Sequence, residues 1–348
     1  MLVTSYDGRP VKIEGNPQHP INKGSTTLAM QAAILDMYDQ DRSRTPIHAG
    51  KESTWAEFSA WAKTHFDGLA GTQGNGLAFL TEANSSPSVQ ALKQRIVARF
   101  PNATWHEYEA INNDNAVQGS MLAFGAGAGH YRPLYDFAAA KTIVALDADF
   151  LGAGTPASLK WTRDYAAGRK CDEGAQPSRM YAIEGVLSLT GANADHRVSV
   201  RSSDVAKIAS WIASQVGVSG IPSTLATLDV ATLGDKAALQ DAMTHLVEDL
   251  KHGPSIVIVG ERQPAEVHLL GHLINRALGN VGRTINYSRV EGLGSGDGHV
   301  ASIKSLTDKI NAGSVSTLVL LGGNPVYNAP SDLDFAAALK KVANSVHL

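Results

Sequence analysis

Cysteine is all but missing: among 348 residues only Cys171 carries a thiol. One thiol excludes an internal disulfide, and it excludes any iron–sulfur cluster held by several thiolates of this chain. Its CDEG setting has no neighbouring histidine, so nothing marks it as reactive. Basic tracts are missing too. Lys and Arg number 30 against 33 Asp and Glu, a net charge of -3, with 18% charged residues. Nothing in that balance points to nucleic acid or an anionic membrane surface. No apolar run approaches the roughly 20 residues that span a bilayer. The start, MLVTSYDGRP, has neither the basic opening nor the apolar segment of a signal peptide. Both ends read as strands cut short, so we expect a fragment of a longer protein, whose targeting signals would lie outside it.

What is present is a β/α alternation in a chain with 43% hydrophobic residues, enough for one large or two ordinary domains. LAFL (77–80) reads as a strand. VQALKQRIVARF then places Val89, Leu92, Ile96 and Phe100 at helical spacing behind Ser86-Pro87, a good helix opening. ATWHEYEA follows as a second strand, completing a β-α-β unit. TIVALDADF (142–150), MYAIEGVLSL (180–189), SIVIVG (255–260) and STLVLLGGNP (316–325) read as further strands, and 204–217, 237–253, 265–280 and the DLDFAAALKKV segment as helices. Continuous Val/Ile/Leu strands between helices imply parallel sheets covered on both faces. Ligands in such sheets sit at the carboxyl ends of strands. The candidate loops are therefore Thr81–Ser86, Asp147–Gly154, Gly260–Gln263 and Gly322–Asn328, with 286–300 as a Gly-rich loop.

Several constellations carry chemistry on paper. GLGSGDG (292–298) and GAGAGH (125–130) resemble phosphate-cradling loops, but neither follows a clear strand inside a β-α-β unit. HLLGH sets His268 and His272 four apart on one helical face, a zinc-compatible spacing without the glutamate of HExxH or a third ligand. Packed or surface histidines are the plainer reading. Asp195, His196 and Arg197 could form a base–carboxylate group. No nucleophile elbow accompanies them, and a structural salt-bridge turn at a domain or subunit junction explains them more simply. LGGNPVYNAP is more specific. Two glycines at a strand end let backbone approach an anion, and Asn324-Pro325 fixes the turn. A plain strand–turn–helix connection would read the same.

DGRPVKIEGNPQHP resembles a segment of the molybdopterin oxidoreductases of the dimethyl sulfoxide reductase family, found just after the first cysteines of their N-terminal cluster domain. In that family the segment runs to a Gly-rich turn bearing the last cluster cysteine and then a basic residue. Here the turn is KGSTTLAMQA, with Thr27 at the cysteine position and Ala29 at the basic one. A hydroxyl is a poor substitute for a thiolate on iron. The runs NSSPSVQALKQRIVARFPNATWHEYEAIN, GRKCDEGAQPSRMYAIEGVLSLTGANADHRVSV, IVIVGERQPAEVHLLGHLINRALGNVGRT and TLVLLGGNPVYNAPSDLDFAAALKKV together are similar to one branch. It is the molybdopterin-oxidoreductase-like half of the iron–sulfur subunit of alternative complex III, a bacterial quinol-oxidising membrane complex, in chains described as Tat-variant-translocated molybdopterin oxidoreductase.

The resemblance implies an α/β fold of two Rossmann-like lobes with mostly parallel sheets around a cleft, one lobe discontinuous. The expected division is 1–45 as a remnant of the cluster-domain segment, 46–115 with 254–348 as the first lobe, and 116–253 as the second. It implies that this half carries neither pterin nor cluster, the iron–sulfur clusters belonging to a cysteine-rich ferredoxin-like half of the parent. Gly322, Gly323, Asn324 and Pro325 match a loop that lies against the pterin dinucleotide in catalytic relatives. The family's equivalent loop offers Asn-Pro where this chain reads LDADFLG, and Asp147 and Asp149 would repel a phosphate there. No molybdenum ligand can be placed; Ser120 is the nearest candidate. The expected role is a catalytically silent scaffold, held on the periplasmic side of a bacterial membrane by its own ferredoxin-like half and the other subunits of a respiratory complex. The rival expectations are an active oxidoreductase binding molybdopterin guanine dinucleotide in the cleft, and a small-ligand module reusing it.

Overall fold

The computed structural model describes residues 1–125, 130–152, 158–171, 174, 176–219, 221, 236–290 and 298–348. The chain divides into two units: residues 1–42 with 115–290, and residues 43–114 with the described part of 291–348. It opens with an antiparallel hairpin of β1 (Leu2–Tyr6) and β2 (Arg9–Glu14), then the short helix α1 (Leu28–Ala32). The next segment holds a two-residue ladder of β3 (Ile47–His48) and β4 (Lys51–Glu52), helix α2 (Trp55–Gly71), β5 (Leu77–Thr81), α3 (Pro87–Arg99) and β6 (Thr104–Glu107). After α4 (Asp114–Phe124) come β7 (His130–Tyr135), β8 (Thr142–Leu146), α5 (Ser158–Gly168), β9 (Arg179–Glu184), α6 (Leu189–Ala192), β10 (His196–Ser199), α7 (Ser202–Gln215), α8 (Lys236–Lys251), β11 (Ser255–Val259), α9 (Ala265–Ala277) and β12 (Ile285–Val290). The chain closes with α10 (His299–Asn311), β13 (Thr317–Leu321), α11 (Pro325–Asn328), α12 (Phe335–Leu339) and β14 (Asn344–His347).

The first unit is built on a parallel sheet of order β10-β9-β8-β11, every neighbour pair parallel. Residues alternate along β8, so Val144 and Leu146 meet Ile208, Ile212, Leu246 and Ile274 on one face. Ile143 and Ala145 meet Phe137, Phe150 and Tyr165 on the other. Burying such side chains from both faces is what continuous apolar strands require. The second unit carries the order β14-β13-β5-β6, again all parallel. Leu80, Leu318 and Leu320 pack on Ile303, Leu306 and Phe335. Leu77, Phe79 and Val319 pack on Phe100, Leu69 and Phe66. Each unit is thus a three-layer, Rossmann-like α/β domain, and both are discontinuous in sequence.

Two expected boundaries are corrected. The segment expected to stand apart as 1–45 falls, through residue 42, in the unit of 115–290. Residues 254–290 do not join the lobe of 46–115, because β11 pairs with β8 along its whole length, Ser255 opposite Thr142 through Val259 opposite Leu146. Side chains finish that edge: Asn275 accepts from Val257 N–H at 3.0 Å and donates to its carbonyl at 2.7 Å. An exposed strand edge is a liability, and here a helix side chain covers it. The DLDFAAALKKV segment is helical only over Phe335–Leu339, because Asp334 takes a left-handed conformation (φ 41°) and caps it through Ala337 N–H.

Candidate functional site

In the second unit, β5 leads through α3 to β6 on one side, while β13 leads through α11 and α12 to β14 on the other. The carboxyl ends of β5 and β13 therefore part at a topological switch point, where open α/β sheets hold ligands. A pocket of ≈330 Å³ lies there, lined among others by Thr81, Glu82, Tyr108, Glu109, Gly322, Gly323 and Asn324. Gly322 and Gly323 turn the chain at φ 79° and 67°, a region favouring glycine. Gly322 N–H donates to Leu348 O at 3.0 Å, and the Gly323 carbonyl bonds the His347 ring at 2.8 Å. The Asn324 side-chain oxygen accepts Tyr327 N–H at 3.3 Å, capping α11, and Pro325 fills its first turn. Tyr108 OH donates to Asn328 O at 2.7 Å and ties down the far end of that helix.

The surprise is the charge. Glu82, the first residue after β5, lies against the diglycine turn: a Cβ on Gly322 would sit 2.9 Å from its Oε2. Glu109, two residues beyond β6, accepts Ala83 N–H at 3.1 Å, pinning the loop after β5 to the loop after β6. Among the described residues no ion pair neutralises either carboxylate. At about 4 Å a like-charge pair costs about 1 kcal/mol in water and about 4 kcal/mol near a protein surface. Residues that would receive the pyrophosphate of a pterin dinucleotide are thus faced by two carboxylates, and the set does not fit that group.

Sequence reasoning placed the opposing charge elsewhere. Asp147 and Asp149 follow β8 in the first unit, and both are engaged by the chain itself. Asp147 accepts Gln263 Nε2 at 2.8 Å and the Ser202 hydroxyl at 3.1 Å. Asp149 accepts Thr190 N–H and hydroxyl, each at 2.9 Å. Their counterpart on β11 is closed, since a Cβ on Gly260 would lie 1.9 Å from Asp147 O. Glu82 was missed although its loop, Thr81–Ser86, stood among the candidates. The visible signal was an acid directly after an apolar strand.

The other candidates separate into local structural roles. Thr27 caps α1, its hydroxyl accepting Met30 N–H at 3.2 Å, and Ala29 is exposed on that helix. The loop before it is clamped by Arg163, whose guanidinium donates to Ile21 O at 2.9 Å, to Asn22 O and to Ser25 Oγ at 3.0 Å. Asp195, His196 and Arg197 face three different partners. Asp195 forms a bidentate pair with Arg169 at 2.8 Å, His196 stacks on Tyr181 at 4.7 Å, and Arg197 bonds Glu184 at 2.6 Å. His268 is buried, and His272 bonds Tyr287 OH at 2.9 Å. Burial pushes both rings down to about 4. No group of three His, Cys, Asp or Glu fit for a metal occurs among the described residues. Ser120 is buried and uses its hydroxyl twice on Tyr131, donating to O at 2.9 Å and accepting from N–H at 2.8 Å. Cys171 is exposed. The glycine-rich runs at 126–129 and 292–297 lie outside the described residues.

No protein-family model matches the chain. It is similar to a curated protein of Nitratidesulfovibrio vulgaris, the menaquinone reductase, molybdopterin-binding-like subunit, at 23% identity over 304 residues. The alignment takes in 81% of this chain but 42% of that protein, so the chain spans about two-fifths of the relative's length. A solved formyltransferase/hydrolase complex from Methylorubrum extorquens, bound to methylofuran, aligns at a TM-score of 0.46 and 12% identity, over 82% of this chain and 78% of its own. The sequence likeness is to a protein named as molybdopterin-binding-like.

Proposed function

We propose that the chain is the catalytically silent, molybdopterin-oxidoreductase-like part of a subunit in a quinone- or quinol-handling respiratory complex. The observation that carries this reading is Glu82, a carboxylate lying on the diglycine turn that catalytic relatives turn toward a dinucleotide. Thr27 supports it, since the hydroxyl at the cluster-cysteine position serves as a helix cap. The name of the N. vulgaris relative supports the respiratory setting, being that of a molybdopterin-binding-like subunit of a menaquinone reductase. Within that setting we assign the chain to alternative complex III, with its iron–sulfur clusters in a ferredoxin-like half of the parent and its place on the periplasmic side of the membrane. Its task is then to position the cluster-bearing half and neighbouring subunits for electron transfer.

The rival reading, an active oxidoreductase holding molybdopterin guanine dinucleotide, draws on the intact Gly322-Gly323-Asn324-Pro325 turn at a switch point. Elemental analysis for molybdenum and iron, with fluorescence of oxidised pterin, on this chain and its full-length parent separates the two. Scaffold predicts iron in the parent alone and pterin in neither. Stoichiometric pterin or molybdenum in the parent would sink it.

A further inference from the structure

We propose that Glu82 and Glu109 together set the pocket at the turn after β13 against phosphate-bearing ligands. The proposal rests on the pterin-free reading above and adds its cause. The two left-handed glycines are the key. A side chain on Gly322 would begin 2.9 Å from Glu82 Oε2, and one on Gly323 would begin 3.4 Å from Glu82 Cγ. The positive φ at both positions (79° and 67°) calls for glycine whether or not any dinucleotide is bound, and Glu82 lies directly against the turn they make.

Glu109 completes the arrangement from the neighbouring strand. Its bond to Ala83 N–H at 3.1 Å holds the residue next to Glu82, so both acids face the same ≈330 Å³ pocket. A pyrophosphate entering there meets two like charges at short range. A like-charge contact at about 4 Å in water costs about 1 kcal/mol, roughly a five-fold loss of affinity, and more where solvent is partly excluded. Because pyrophosphate carries several charges, each carboxylate neutralised is expected to raise its affinity on the order of ten-fold.

Inorganic pyrophosphate and a nucleoside diphosphate, titrated by calorimetry at low ionic strength, test this directly. Glu82→Gln keeps the side chain's shape and removes its charge, and Glu82→Gln with Glu109→Gln removes both. Circular dichroism establishes that each variant is folded. We expect no uptake by the wild type, measurable binding by Glu82→Gln, and a further gain of about ten-fold in the double variant. Binding by the wild type as tight as by the variants would overturn the proposal, and would undercut the pterin-free reading with it. A folded double variant that still binds neither probe would overturn the proposal alone.

Discussion

Gly260 shows how little freedom single residues have around the first unit's switch point. A methyl group there would start 1.9 Å from Asp147 O, a backbone atom that cannot swing aside. Asp147 is itself left-handed at φ 53° and held by Gln263 and Ser202. Gly260→Ala is therefore expected to lower stability by about 1–3 kcal/mol, the usual cost of overpacking. Urea denaturation against the wild type measures it. A midpoint that does not move would mean the loop after β8 yields freely. Gly15 is under the same constraint, with Gly24 O 2.0 Å from its would-be Cβ, which fixes glycine in the EGNP turn on packing grounds alone.

At the scale of elements, period and punctuation carried the strands β5, β6, β8, β9, β11 and β13 and the helices α3, α7, α8 and α9, because apolar runs and Pro or Gly boundaries mark them. What escaped has physical reasons. The antiparallel pair β7 and β12 is formed by HYRPLY and INYSRV, whose mixed polar residues are joined by pairing across 130–135 and 285–290 rather than by local pattern. Helix α2 was legible and overlooked: Thr54 and Glu57 make a capping box, Glu57 N–H to Thr54 Oγ1 at 3.2 Å and Thr54 N–H to Glu57 Oε2 at 2.9 Å. The site residues were named by motif, while the charges facing them depend on which strands become neighbours, and sequence does not display that. The edge of β11 offers a test at this scale. Asn275→Leu removes both bonds to Val257 and leaves its buried N–H and C=O without partners. Each orphaned group costs about 1–3 kcal/mol. Hydrogen exchange at Val257 should accelerate, and unchanged protection there would show that β11 does not need its cover.

For the whole molecule, acidity is the informative variable. His106, His268 and His272 are all pushed down to about 4, chiefly by burial. These values lie below the ~6.5 of an unfolded histidine. Stability contributed by the neutral rings is therefore complete above pH 6.5 and is lost as pH falls from 6.5 toward 4. For His268, which is buried, the loss is on the order of 3 kcal/mol at the low end. Glu107, whose carboxyl burial pushes up, acts in the opposite sense near the lower limit. Denaturant midpoints across this range should fall for the wild type and fall less for His268→Gln. Parallel profiles would remove the histidine from the account.

The discontinuity of the second unit also governs how the chain comes into being. Strands β5 and β6 emerge early during synthesis, yet the strand that must lie between β5 and β14 follows only after the first unit; Gly76 and Ser316, bonded across that seam, are 240 residues apart. Until then β5, wholly buried in the finished fold, has no partner on that flank. The first unit can collapse as soon as β11 and α9 are out, while the other waits for β13. Its assembly follows that of the first unit, and a nascent chain halted before β13 presents a sticky half-sheet to whatever chaperone meets it.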